Sequence, residues 1–181
     1  MIRLFFALRP PESVLDRLID LMDGVADARW QDDEQLHLTL RFVGEVERPT
    51  AEDLVDAFQA FRARAPTVRL HGVGAFGGRG RAGALWAGLA PREPLTSLHR
   101  KVDQLCVRAG LEPERRSFTP HVTVGRLSRG VRHDGPEVRR WLAAHAALSS
   151  EPFRFDRAIL YRSHLGRAGA SYEAVAEAPL G

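Results

Sequence analysis

The 181 residues, 44% hydrophobic and 27% charged, have ordinary globular composition, which excludes a disordered, collagen-like or coiled-coil chain and suits one domain spanning residues 1–181. No apolar run approaches the roughly 18 residues of a membrane span, and Met1 to Leu8 is too short for a signal peptide. A soluble, cytoplasmic monomer with no membrane partner is therefore expected. The formal net charge is +3, and Lys101 is the single lysine among 26 cationic side chains. Arginine's planar fork suits phosphate, but a GC-rich genome produces the same bias, so composition permits a nucleic-acid or nucleotide partner without establishing one. The single cysteine, Cys106, excludes an internal disulfide and any multi-cysteine metal site. Its apolar-periodic position makes it a buried small hydrophobe.

In chain order, Ile2 to Leu8 reads as a strand broken by Pro10-Pro11. Pro11 to Met22 carries Val14, Leu15, Leu18, Ile19 and Met22 at helical spacing and stops at Gly24. Leu36 to Val43 alternates as a strand that Gly44 closes. Thr50 is placed to cap a helix carrying Leu54, Val55, Phe58 and Phe61, with Pro66 as its stop. Val68 to Val73 and Ala84 to Leu89 read as strands around a glycine-rich stretch, Gly74 to Gly83. That stretch lacks a phosphate-loop lysine and leads into a strand rather than a helix, so it is not a nucleotide cradle. It is either a hairpin carrying Arg79 and Arg81 or a basic lid over a phosphate backbone. A helix through Leu95, Leu98, Val102 and Leu105 ends at Gly110, and Val122 to Arg126 is a strand. A last helix covers Pro136 to Ala147, and strands follow at Phe153 to Tyr161 and Ser171 to Ala176. The paired strands break a clean βα alternation, which points to α+β with largely antiparallel sheets.

One pattern occurs twice: His37-Leu38-Thr39-Leu40 and His121-Val122-Thr123-Val124. Chance would supply His-x-Thr about 0.2 times in a chain of this composition. On a strand, the period of two places His37 beside Thr39 and His121 beside Thr123 on one face, with the apolar partners turned into a core. Histidine both holds and releases a proton near neutral pH. Phosphodiester cleavage needs a base for the nucleophile and an acid for the leaving oxygen, on opposite sides of phosphorus. Two such strands facing one another would supply both, with the threonine hydroxyls on the phosphate oxygens. Two histidines with hydroxyl companions make a poor zinc site, and no metal or cofactor is expected.

With their flanks these motifs resemble the two-histidine phosphoesterases, and among them the bacterial and archaeal RNA 2′,3′-cyclic phosphodiesterases. Arg3-Leu-Phe-Phe-Ala7, Trp30, Leu36-His-Leu-Thr-Leu-Arg-Phe-Val-Gly44, Leu85-Trp-Ala-Gly88, Phe118-Thr-Pro-His-Val-Thr-Val-Gly-Arg126 and Ser163 carry the resemblance. It implies a bilobal α+β fold of two mostly antiparallel sheets related by a pseudo-twofold axis, with helices outside and the active-site cleft between the lobes. It also implies metal-independent hydrolysis of RNA 2′,3′-cyclic phosphate ends, or of nucleotide 2′,3′-cyclic phosphates, to 2′-phosphates. His121 would then be the proton acceptor and His37 the proton donor, with Thr39 and Thr123 on the phosphate oxygens. Arg126, five residues after His121, would clamp the phosphate unless it is only a strand-end surface residue. The family commonly has Pro-Arg where this chain has Ala82-Gly83-Ala84, leaving Arg79 and Arg81 as substitutes for the missing cation.

Phe118, Trp30 and Phe76 are candidates to stack a terminal base, Phe118 foremost because it adjoins the second motif. His99 and His145, on helices, read as surface residues. Arg115-Arg116 precedes the second motif closely enough to border the cleft. Two other readings stay open: 2′-5′ RNA joining, which is the same site run in reverse, and a non-catalytic module that binds nucleotides or RNA ends.

Overall fold

The computed structural model describes residues 1–78 and 81–181. Its strands are β1 (Ile2–Leu8), β2 (Ala28–Trp30), β3 (Leu38–Val46), β4 (Thr67–Gly78), β5 (Arg81–Ala90), β6 (His121–Leu127), β7 (Phe153–Arg154), β8 (Arg157–Gly166) and β9 (Gly169–Pro179). Its helices are α1 (Glu12–Ile19), α2 (Arg48–Gln59), α3 (Glu93–Arg108) and α4 (Pro136–His145). None of the helices is long and apolar enough to cross a membrane.

The strands are hydrogen-bonded in the order β7-β4-β5-β6-β3-β1-β8-β9, with β2 added to β6, and the pairings are antiparallel. The two expected sheets are thus two antiparallel blocks joined in one nine-stranded sheet. Among the described residues, their only register pair is Leu38 with Val122, the residue after each motif histidine. The same order of elements, β1-α1-β3-α2-β4 and β5-α3-β6-α4-β8, is used twice. Each half sends its last strand to the other, so β1 pairs with β8 and β5 with β4. The pseudo-twofold axis therefore passes through the point where the two His-x-Thr segments meet.

The burial pattern explains both the alternation and its exceptions. From Leu4 to Leu8, β1 is apolar and buried because both its faces are covered there. Leu4, Phe6 and Leu8 enter the main core. Phe5 and Ala7 join a second, smaller cluster with Ile159 and Tyr161, against which Phe42 and Tyr172 pack. In β3 and β6 the residues beside the motif histidines and threonines, Leu38, Leu40, Val122 and Val124, are buried in the main core as the period of two requires. Cys106 is fully buried on α3 with Leu98, Val102 and Leu105, and burial pushes its thiol pKa up to about 12.

Several boundaries differ from the sequence reading. α1 stops at Ile19, since Leu21 and Met22 already belong to the turn that precedes Gly24. Gly44 does not close β3: it sits inside the strand at φ +86, where the register with β1 shifts, and pairing continues to Val46. Thr50 does not cap α2, because Glu47 holds the N-cap position and Pro49 lies in the first turn, where its missing N–H costs nothing. The long strand expected at 153–161 is two strands, and β2 and a 3₁₀ turn at Asp33–Gln35 carry too little pattern to be read. The glycine-rich stretch extends the β4–β5 hairpin; Arg79 lies outside the described residues.

Candidate active site

The junction of the two blocks opens into a cleft of about 430 Å³. It is lined by His37, Thr39, Phe118, His121, Thr123 and Arg126, the six site residues expected from the sequence. They come together because Leu38 and Val122 are paired: residues flanking a paired position on adjacent strands project from the same face.

Each histidine is oriented in the same way. The carbonyl of the residue two positions earlier can only accept, so Nδ1 carries the proton in both rings. His37 Nδ1–H donates to Gln35 O at 2.7 Å, and His121 Nδ1–H donates to Thr119 O at 2.6 Å. Nε2 of each neutral ring is left as the lone-pair nitrogen. The Thr39 hydroxyl donates to His37 Nε2 at 3.2 Å.

Beyond this shared geometry the two rings differ. His37 sits among Phe5 at 5.0 Å, Tyr172 at 5.3 Å and Tyr161 at 6.4 Å between ring centroids, at the edge of the smaller core. Burial, reinforced by the charges of Arg126, His121 and Arg9 and opposed by the bond to Gln35, lowers its pKa to about 4. His121 meets the edge of Phe76 at 4.9 Å and lies 5.7 Å from Trp86. Its pKa is also lowered, first by burial and then by Arg126. Both rings therefore favour the neutral form near pH 7. Arg126 is exposed, and no carboxylate pairs with it among the described residues. Its strand-end position thus coincides with a place beside both rings, and a free cation there is suited to an anion.

The remaining walls hold residues from outside the two motifs. His99, expected at the surface, is instead half-buried and lines the cleft. Its Nδ1–H donates to Leu40 O at 2.7 Å, and its ring stacks on Phe118 at 4.3 Å and 3°. A helical histidine gives no sign in the sequence that a strand carbonyl from the other half will reach it. His145 is likewise half-buried, with its ring 5.3 Å from that of Trp141. Of the Arg115-Arg116 pair, only Arg116 borders the cleft. It is bound to Glu114, whose carboxyl it holds down at a pKa of about 2. Of the aromatic candidates, Phe76 and Phe118 line the cleft. Trp30 packs instead over Gly125 and near Trp141, partly buried against the main core. Among the described residues, no group of three or more His, Cys, Asp or Glu side chains is placed to hold a metal ion.

A cleft on a pseudo-twofold axis with one His-x-Thr from each half defines a two-histidine phosphoesterase. The family comparison agrees: residues 10–167 match the model of the 2′-5′ RNA ligase superfamily, and the chain belongs to that family. It is 33% identical over 183 residues to the RNA 2′,3′-cyclic phosphodiesterase of Geobacillus stearothermophilus, a match covering 97% of this chain and 57% of that protein. The chain therefore spans little more than half the length of that relative. The RNA 2′,3′-cyclic phosphodiesterase of Aquifex aeolicus is 25% identical over 98% of this chain and 95% of its own. Among solved structures, E. coli LigT complexed with 3′-AMP superposes with a TM-score of 0.74 at 25% identity, covering 99% of this chain and 98% of that one.

Proposed function

We propose that the chain hydrolyses RNA 2′,3′-cyclic phosphate ends to 2′-phosphate ends by two-histidine acid–base catalysis, without a metal. The observation that carries this reading is the Leu38–Val122 pair, which sets both Nε2-bearing rings and both threonines around one cleft. The names of the relatives point to the same substrate.

In this reading Arg126 and the Thr39 and Thr123 hydroxyls hold the non-bridging phosphate oxygens. His121 Nε2 takes a proton from water as its oxygen attacks phosphorus. The bond from phosphorus to the 3′ oxygen breaks, and His37 Nε2–H delivers a proton to that oxygen. His37 must first gain this proton, which its buried surroundings resist. The negative charge of the bound phosphate supplies the compensation. When the proton is on Nε2, the Thr39 hydroxyl no longer donates there and turns to the phosphate. Phe118, whose ring stacks on that of His99, receives the terminal base.

The test is a short RNA ending in a 2′,3′-cyclic phosphate, incubated with the protein in excess EDTA, with the product ends identified. A 2′-phosphate is expected, and His37→Ala or His121→Ala should each slow its formation by about 10² to 10⁴. A 3′-phosphate product, a requirement for metal, or parent rates in either variant would refute the mechanism. Tight binding without turnover would indicate a binding module instead.

A further inference from the structure

Arg29 has no part in the site described above, yet the register places it beside that site. On β2 it pairs directly with Arg126 on β6. Directly opposed residues on antiparallel strands project from the same face with their Cβ atoms about 5 Å apart. Both side chains are exposed, and among the described residues neither has a carboxylate partner. Two like charges set opposite one another destabilise a sheet unless an anion lies between them. The Arg29 guanidinium also approaches the other block of the sheet. It rests on the β8–β9 turn, where a Cβ on Gly169 would lie 3.4 and 3.5 Å from its two terminal nitrogens. That turn belongs to the other block of the sheet and carries a further exposed arginine, Arg167. The same turn is tied to the first motif, since Gln35 donates from Nε2 to Ala170 O at 2.8 Å while its own carbonyl orients His37.

We propose that Arg29 is a second phosphate-binding residue. With Arg126 on the terminal cyclic phosphate, Arg29 takes the next phosphodiester of the RNA chain. A 2′,3′-cyclic phosphate is a 3′ end, so the chain leaves it only in the 5′ direction and the next phosphate is one nucleoside away. The cation pair thus distinguishes a polynucleotide end from a free mononucleotide. This rests on the function proposed above, and it names the part of the substrate that the two histidines do not touch.

The test compares kcat/KM for a short RNA ending in a 2′,3′-cyclic phosphate with kcat/KM for a nucleoside 2′,3′-cyclic phosphate, in the parent protein, Arg29→Gln and Arg29→Lys. Binding of the same RNA is followed by fluorescence anisotropy over a range of salt. Arg29→Gln should lower the ratio of RNA to mononucleotide kcat/KM about tenfold. It should also make the log–log salt dependence of binding shallower by about 0.7, the share of one phosphate contact on a single strand. Arg29→Lys should restore most of the salt slope. An unchanged ratio and slope in Arg29→Gln would overturn the proposal, as would a lower ratio with a parent salt slope, which marks a structural effect. If no cyclic phosphate turns over in any protein, the catalytic reading fails while the salt slope still reports on Arg29.

Discussion

Arg41 tests how the cleft wall is held. Its side chain is 9% exposed and makes four polar contacts: Nε to Asp103 Oδ1 at 2.8 Å, one terminal nitrogen to Phe42 O at 2.8 Å and Glu114 Oε2 at 3.4 Å, and the other to Glu112 O at 2.6 Å. It thereby fastens β3 to α3 and to the irregular segment that leads through Phe118 and Thr119 into β6. Arg41→Ala strands Asp103, 20% exposed, with only the Glu114 N–H at 3.0 Å, and leaves the Glu112 carbonyl without its donor. Breaking a buried pair from one side costs about 3 to 5 kcal/mol. The lower end applies here, because Asp103 reaches some solvent and Glu114 keeps Arg116. At about 2 to 4 °C per kcal/mol for a chain of this size, the melting temperature should fall by roughly 9 °C. Thr119 O orients His121, so turnover should fall as well. Adding Asp103→Asn to Arg41→Ala removes the stranded charge and should recover part of the loss, although Asp103→Asn alone destabilises. Thermal unfolding by circular dichroism and steady-state kinetics would check both. A shift within about 2 °C for Arg41→Ala, or strictly additive losses in the double variant, would refute the reasoning.

Two further predictions concern the histidines. In the proposed mechanism the working form has His37 protonated and His121 neutral, and both free-protein pKa values lie below 6.5, that of His37 at about 4. The kcat/KM profile for a nucleoside 2′,3′-cyclic phosphate should therefore peak below pH 6.5 and decline about tenfold per unit on the alkaline side; an optimum at pH 7 or above would contradict it. Gly88 pairs with His121, and a Cβ there would lie 2.5 Å from the backbone oxygen of His71, which cannot turn aside as a side chain can. Gly88→Ala should push β4 and β5 apart at a cost of about 1 to 3 kcal/mol and lower turnover, and a parent-like melting curve would show that the strands yield freely.

Much of the site was legible because a strand's period is local. His37 with Thr39, and His121 with Thr123, are committed to one face by two-residue spacing, whatever the rest of the fold does. The apolar residues between them fix which face turns inward, and the repetition of the tetrapeptide signals that two halves meet. The helices α3 and α4 were legible for a similar reason, since a row of Leu and Val at 3.6-residue spacing is a local property. What failed was decided at a distance or on too little chain. Gly44 reads as a strand end and proves to be a bulge only because β1 runs beside it. β2, three residues long, exists only because β6 offers it an edge.

By itself, then, the sequence determined the strand and helix types, the side of each strand that meets the core, and the identity of the paired chemical groups. Only the tertiary structure decided that Leu38 and Val122 would be neighbours, that His99 would stack on Phe118, and that Arg29 would stand opposite Arg126. It also decided that burial would hold the two histidines neutral. The physical reason is that spacing along a chain sets direction, whereas contact, desolvation and the meeting of like charges depend on which segments fold against one another.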